Sequence, residues 1–214
     1  MHLIAHRGWI AGQGENTLEA FARAAADQAI AGVEFDVSRA ADTGALMVSH
    51  DPPARAEGVL ALDEALAFFA GTDLQLFIEI KQPGLAEAVI ERLVARGLAD
   101  RAIVFAFARV ARSFPWHAPR RVRLGVIVEL PWDLGRWMRH QRPDVLLLGW
   151  DARAWTRIAF RSWWSWFSLE RLAHRHGVPV VIGVVQRSRD LDWLARQKIH
   201  AAVGDIDLIR DARL

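Results

Sequence analysis

The sequence predicts an α/β protein, a (β/α)8 TIM barrel with a β-hairpin excursion after the second strand. Three observations carry that prediction. Short β-branched runs alternate with amphipathic stretches along the whole chain, as expected for parallel strands joined by right-handed helical crossovers. There are eight such runs, the number at which a parallel sheet closes on itself, and 214 residues lies near the small end for that architecture. No G-x-G-x-x-G follows the first run, so the alternative, an open doubly wound sheet, lacks support for a dinucleotide-binding version.

Taken in order, the first strand is expected at 3–6. A helix over 17–28 follows, opened by Asn16-Thr17-Leu18-Glu19, in which Asn16 fits an N-cap with its glutamate three residues on. The second strand is read at 32–37. The stretch from there to His50 is too short for a crossover helix, and Asp42-Thr43-Gly44 is turn chemistry. A hairpin about that turn pairs Ala41 with Ala45, and counting back pairs Asp36 with His50. Further strands are expected at 76–80, 102–107, 123–128, 145–148, 179–184 and 201–205. Helices are expected at 62–69, 85–96, 134–140, 169–176 and 190–197. Between Trp150 and Ser168 lies a stretch with five tryptophans and two phenylalanines, too apolar for an ordinary surface loop. It is expected to pack as a lid, with a membrane-facing or dimer patch as the other readings. No linker divides the chain, so one domain over 1–214 is expected.

Composition excludes several classes of function. Hydrophobic residues make up 52% and charged residues 24%, which rules out a disordered chain. The net charge is +2 and no block of like charge occurs, so nucleic acid is not an expected partner. The absence of cysteine excludes disulfides, thiolate catalysis and cysteine-bound metals. No apolar run reaches the roughly 20 residues that span a bilayer. With the first motif already under way at residue 6, no signal peptide is expected ahead of it, and the expected location is the cytoplasm. Of 27 basic residues only Lys81 and Lys198 are lysine. In so arginine-biased a chain, a retained lysine points to a need for a compact ammonium.

In a parallel barrel, polar residues at the carboxyl ends of strands build the site. Those ends are His6-Arg7-Gly8, Glu34-x-Asp36, His50-Asp51 after the hairpin, and Glu79-x-Lys81. All come from adjacent strands. Three converging carboxylates, Glu34, Asp36 and Glu79, repel one another unless a cation or proton intervenes. An all-oxygen cage suits one hard divalent cation, Ca²⁺ or Mg²⁺, whereas zinc more often recruits histidine. Arg7 and Lys81 can neutralise phosphate oxygens. His6 and His50 can share proton transfer, one taking a proton from the nucleophile and one giving a proton to the leaving alkoxide. A cation, two fixed positive charges and an acid–base pair point to phosphodiester cleavage.

The motifs IAHRG, GENTLEAF, GVEFDV, MVSHD and IEIK resemble those of the glycerophosphodiester phosphodiesterases, a branch of the phosphatidylinositol-phospholipase-C-like barrels. The resemblance is strong over residues 3–81 and collinear to the end, where AAVGDID stands in the place of the final strand. It implies His6 and His50 as the acid–base pair, Glu34, Asp36 and Glu79 as metal ligands, and Arg7 and Lys81 as phosphate-binding residues. It further implies a reaction in which a substrate hydroxyl attacks first and water then opens a cyclic phosphodiester. Glu15 and Asn16 are expected to support the ligands from behind, and Trp150 to line the substrate pocket.

The sequence also departs from the family pattern. Gly14 stands where the family usually has proline, only 28 residues separate His50 from Glu79, so the usual inserted subdomain is essentially absent, and Gly204-Asp205-Ile206-Asp207 keeps only the Asp of a late T-D-x-P. The expected substrate is a glycerophosphodiester, cleaved to sn-glycerol 3-phosphate and an alcohol. A lysophospholipid ranks second, and a non-catalytic barrel binding a phospho-ligand or a membrane surface is the rival. Peripheral contact with lipid fits the mixture of Trp and Arg.

Overall fold

The structure is a computed structural model and describes residues 1–10, 12, 14–150 and 153–211. Nine strands alternate with helices: β1 (His2–His6), α1 (Leu18–Ala25), β2 (Gly32–Arg39), β3 (Leu46–Val48), α2 (Leu62–Ala70), β4 (Gln75–Ile80), α3 (Ala86–Ala95), β5 (Ala102–Phe107), α4 (Ala108–Ala111), β6 (Arg123–Ile127), α5 (Leu134–His140), β7 (Val145–Leu148), α6 (Ala154–Phe167), α7 (Leu169–His176), β8 (Val180–Val185), α8 (Ser188–Arg196), β9 (Ala201–Gly204) and α9 (Ile206–Asp211). The sheet runs β1-β9-β8-β7-β6-β5-β4-β2-β3, and β1 also pairs with β2. That last pairing closes eight parallel strands into a barrel, with β3 as the antiparallel extra strand on β2.

Side chains alternate in and out along each strand. Ile4, Phe77, Ile103, Phe105, Val145, Leu147, Val181, Ala201 and Val203 pack as one cluster and fill the barrel as layers do in this architecture. A larger cluster, including Phe21, Phe35 and Phe69, packs between the sheet and the helices. The inward parity then decides what stands at the carboxyl mouth. Two residues beyond Ile4 comes His6, beyond Phe77 comes Glu79, and beyond Val203 comes Asp205. On β2 the inward series is Gly32, Glu34, Asp36. Gly32 is demanded by packing, since a Cβ there would lie 2.5 Å from the carbonyl oxygen of Gln75.

The strand predictions hold to within two residues, but the hairpin register does not. Val37 pairs with Val48 and Arg39 with Leu46, so Asp36 stands opposite Ser49, whose amide donates to its carbonyl at 3.1 Å. The expected pairing of Asp36 with His50 is off by one. The turn takes four residues rather than three: Ala40, not Ala41, bonds Ala45, and Gly44 closes the loop at φ +72°, a conformation that suits glycine. The first helix ends at Ala25 rather than residue 28, because Asp27 turns the chain by accepting the Ala29 amide at 2.9 Å. Helices α4, α6 and α9 were not expected as separate elements. Among the described residues no helix is long and apolar enough to cross a membrane.

Candidate active site

Register brings the site together. β1 pairs with β2 so that His6 lies beside Glu34, and β2 pairs with β4 so that Asp36 lies beside Glu79. All four side chains share the inward face at the carboxyl end. One ligand atom from each of Glu34, Asp36 and Glu79 lies within 4.8 Å of the others, as the convergence argument required. Glu34 and Asp36 are buried.

Arg7 follows β1 at φ +53° and Gly8 at φ +85°. This left-handed pair swings the chain sharply out of the barrel. A Cβ on Gly8 would stand 2.8 Å from that of Ala20, so the turn presses directly on α1. The bend aims the Arg7 amide at Glu34 Oε2, 3.1 Å away. The Arg7 guanidinium reaches Asp36 Oδ2 at 2.9 Å and Glu15 Oε1 at 2.6 Å. Lys81, two residues past Glu79 on the same inward face, places its ammonium 2.8 Å from Glu79 Oε1 and 3.2 Å from Asp36 Oδ1.

Asn16 does not cap α1. Thr17 does so, accepting the Ala20 amide at 3.2 Å. Asn16 instead sits buried at φ +56°, donates to Asp36 Oδ2 at 3.0 Å and accepts the Asp36 amide at 3.3 Å. β1 has ended by this point, so the amide group of Asn16 takes the place of the missing strand. Sequence pattern favoured the cap because Asn is good at both tasks; only the packing of the loop against β2 separates them.

One residue of the site escaped the sequence reading. Asp205, directly after β9, holds His6 Nδ1 at 2.7 Å and accepts from Gln186 Nε2 at 2.9 Å. The signal was present in the single Asp kept from the late family motif. His6 Nε2 is then left facing Glu34 Oε2 at 3.9 Å. His50 stands further out, half-buried, with Nδ1 3.0 Å from Asp51 Oδ1. Asp51 therefore touches the ring. Trp150 packs edge-on against Phe160, ring centres 5.2 Å apart, and is half-buried at the mouth after β7.

The charges are strongly coupled. Burial, reinforced by the neighbouring Asp36 charge, pushes the Glu34 carboxyl up to about 8. Burial also raises Glu79, with Lys81 opposing. For Lys81, burial works downward but the charges of Glu79 and Asp36 outweigh it, and the ammonium is raised. For His6, burial again works downward, and the bond to Asp205 together with the Glu34 charge raises the ring. Asp205 is lowered, because its bond to His6 overcomes its own burial. A carboxyl that holds a proton near neutrality, inside a cluster of three, marks a site short of positive charge. The oxygen donors therefore fit a hard divalent cation, which would take the place of that proton.

Acids, an imidazole and fixed cations thus stand together at the carboxyl mouth of a closed parallel barrel. The family model for the glycerophosphoryl diester phosphodiesterase family matches residues 6–206. The chain belongs to that family, and is a phosphoric diester hydrolase by that membership. No curated protein matches the sequence significantly. Similar solved structures include a glycerophosphodiester phosphodiesterase from Agrobacterium tumefaciens, with 16% identity, TM-score 0.75 and the whole of both chains covered. A phosphodiesterase from Oleispira antarctica, in complex with the product sn-glycerol-3-phosphate, has 19% identity and TM-score 0.72, covering 100% of this chain and 96% of that one. A calcium-dependent phosphoinositol-specific phospholipase C from Pseudomonas sp. has 11% identity and TM-score 0.61, covering 95% and 88%.

Proposed function

We propose that the protein is a metal-dependent phosphodiesterase, one catalytic domain over residues 1–214, that hydrolyses a glycerophosphodiester to sn-glycerol 3-phosphate and an alcohol. The observation that carries this reading is the meeting of Glu34, Asp36 and Glu79 within 4.8 Å, with His6, Arg7 and Lys81 around them. The product bound to the Oleispira relative supports the choice of substrate.

Glu34, Asp36 and Glu79 would hold one divalent cation, Ca²⁺ or Mg²⁺. Bound there, the ion would supply Lewis-acid polarisation of a phosphoryl oxygen and a lowered pKa for the attacking hydroxyl. Arg7 and Lys81 draw the phosphate oxygens in and neutralise charge as the P–O bond breaks. Asp205 fixes the Nδ1 side of His6, which leaves Nε2 to carry a proton on or off a reacting oxygen. His50, at the exposed rim, is the second proton carrier, and Asp51 orients its ring. Glu15 holds Arg7, Asn16 holds Asp36, and Trp150 walls the alcohol side. A lysophospholipid is the second reading, favoured by the exposed Trp132 and Trp155 on the mouth-side segments that follow β6 and β7. A cytoplasmic place of action belongs to the same proposal.

Hydrolysis of bis(p-nitrophenyl) phosphate and glycerophosphocholine tests the reading, with and without EDTA. We expect activity that EDTA abolishes and that His6→Ala and His50→Ala each reduce by roughly a hundredfold or more. A wild-type protein inactive on several diesters with Ca²⁺, Mg²⁺ and Mn²⁺ would leave a barrel that binds phospho-ligands without turnover.

A further inference from the structure

Helix α6 carries large apolar residues on both its inward and its outward side. A surface helix ordinarily turns its apolar stripe inward and its charges to water. In α6 Phe160 and Trp164 pack inward on the core, but the charged residues lie on that side too: Arg157 Nη1 lies 3.2 Å from Asp190 Oδ2, and Arg161 Nη1 2.8 Å from Asp190 Oδ1. Asp190 is 1% exposed, and the Arg161 guanidinium also lies over the Trp193 ring at 5.3 Å. Meanwhile Trp166 is 84% exposed, Trp155 62% and Ile158 61%, joined by Trp163 and Phe167. Of the tryptophans in α6, only Trp164 is buried. A buried carboxylate gripping two arginines fixes this orientation, so the outward apolar face is built into the fold.

The position of the helix matters as much as its composition. It is an addition between β7 and the crossover helix α7, and it starts from the carboxyl end of the barrel, where the candidate site lies. Trp132, 71% exposed, stands on the connection after the neighbouring strand β6. No acidic residue occurs from 153 to 167. Arg153 at the start of α6 is exposed, as are Arg187 and Arg189 on either side of Ser188 at the start of α8. The chain is also electrically divided: residues 101–214 carry 20 Lys and Arg against 10 Asp and Glu, whereas residues 1–100 carry 7 against 15. The apolar helix belongs to the basic half. A second copy meeting it face to face would bring an identical basic half against it, which is unfavourable. A negatively charged surface able to accept tryptophan suits both features.

We propose that the outward face of α6 docks on an anionic lipid surface. Trp155, Ile158, Trp163 and Trp166 enter the interfacial layer, where indole rings are favoured, and Arg153, Arg187 and Arg189 meet the lipid phosphates. Docking concerns where the protein works rather than what it cleaves, so its readout is binding to vesicles, with turnover only a control.

Flotation with vesicles of pure phosphatidylcholine, and of phosphatidylcholine mixed with phosphatidylglycerol, tests it. The wild-type protein is expected to bind the mixed vesicles more tightly and to be released by high salt. The Ile158→Ser/Trp166→Ser double variant should lose about tenfold or more in affinity, while melting and hydrolysing bis(p-nitrophenyl) phosphate as wild type does. An independent Arg187→Glu/Arg189→Glu variant should lose the preference for anionic vesicles. Failure to bind either vesicle, or equal binding by wild type and both variants, overturns the proposal. So does a dimer in light scattering that the Ile158→Ser/Trp166→Ser substitutions dissociate, since a second copy would then cover the face.

Discussion

At the scale of single residues, the site is a set of charges that cannot all be satisfied by the protein alone. Glu34, held up at about 8 by burial and by Asp36, keeps its proton at neutral pH when no cation is bound. Cation binding at pH 7 should therefore release about one proton, and affinity should rise with pH until Glu34 ionises by itself. Calorimetry in two buffers of different ionisation heat measures that release; none would mean Glu34 is already charged. Asp205 gives a second prediction. Asn at this position keeps the shape but removes the charge that raises His6, so Asp205→Asn should lower kcat by roughly a hundredfold or more with little change in KM. The acids, Arg7, Lys81 and His6 were legible in the sequence because strand-end parity exposes them. Asp205 was not singled out, because its partner is 199 residues away and only barrel closure makes them neighbours.

At the scale of elements, adjacent residues do different work at the start of α1. Thr17 caps the helix through the Ala20 amide, while Asn16 binds Asp36. Thr17→Ala should cost about 1 kcal/mol in chemical denaturation and leave kcat nearly intact. Asn16→Ala should do the reverse, with turnover falling more than stability. Equal effects of both substitutions on kcat would mean that Asn16 serves only the loop. The hairpin teaches a related lesson. Its existence followed from Asp42-Thr43-Gly44, but its register depended on whether the turn used three residues or four. Turn composition does not settle that number, and a slip of one residue moves every side chain to the other face. Likewise the Trp-rich stretch 150–168 has helical spacing, yet nothing in its pattern says which side faces out. Asp190 decides that, from a helix further along the chain.

At the scale of the whole molecule, closure of the sheet between β1, β2 and β9 links site formation to folding. A cation that binds only the folded site stabilises the entire barrel. At a hundred times its dissociation constant the gain is about 2.7 kcal/mol, which for a domain of this size raises Tm by about 5–10 °C. Thermal melts with Mg²⁺ or Ca²⁺, reversed by EDTA, measure the shift, and Glu34→Ala should abolish it. The alternating pattern of strands and helices, and the acids and cations at the ends of the early strands, were determined by the sequence alone, since period and parity are local properties of the chain. The pairing of His6 with Asp205, the use of Asn16 as a surrogate strand and the outward face of α6 were decided only by tertiary structure. Each depends on a contact between distant segments, and no local pattern contains the energy of a contact that forms only when the barrel shuts.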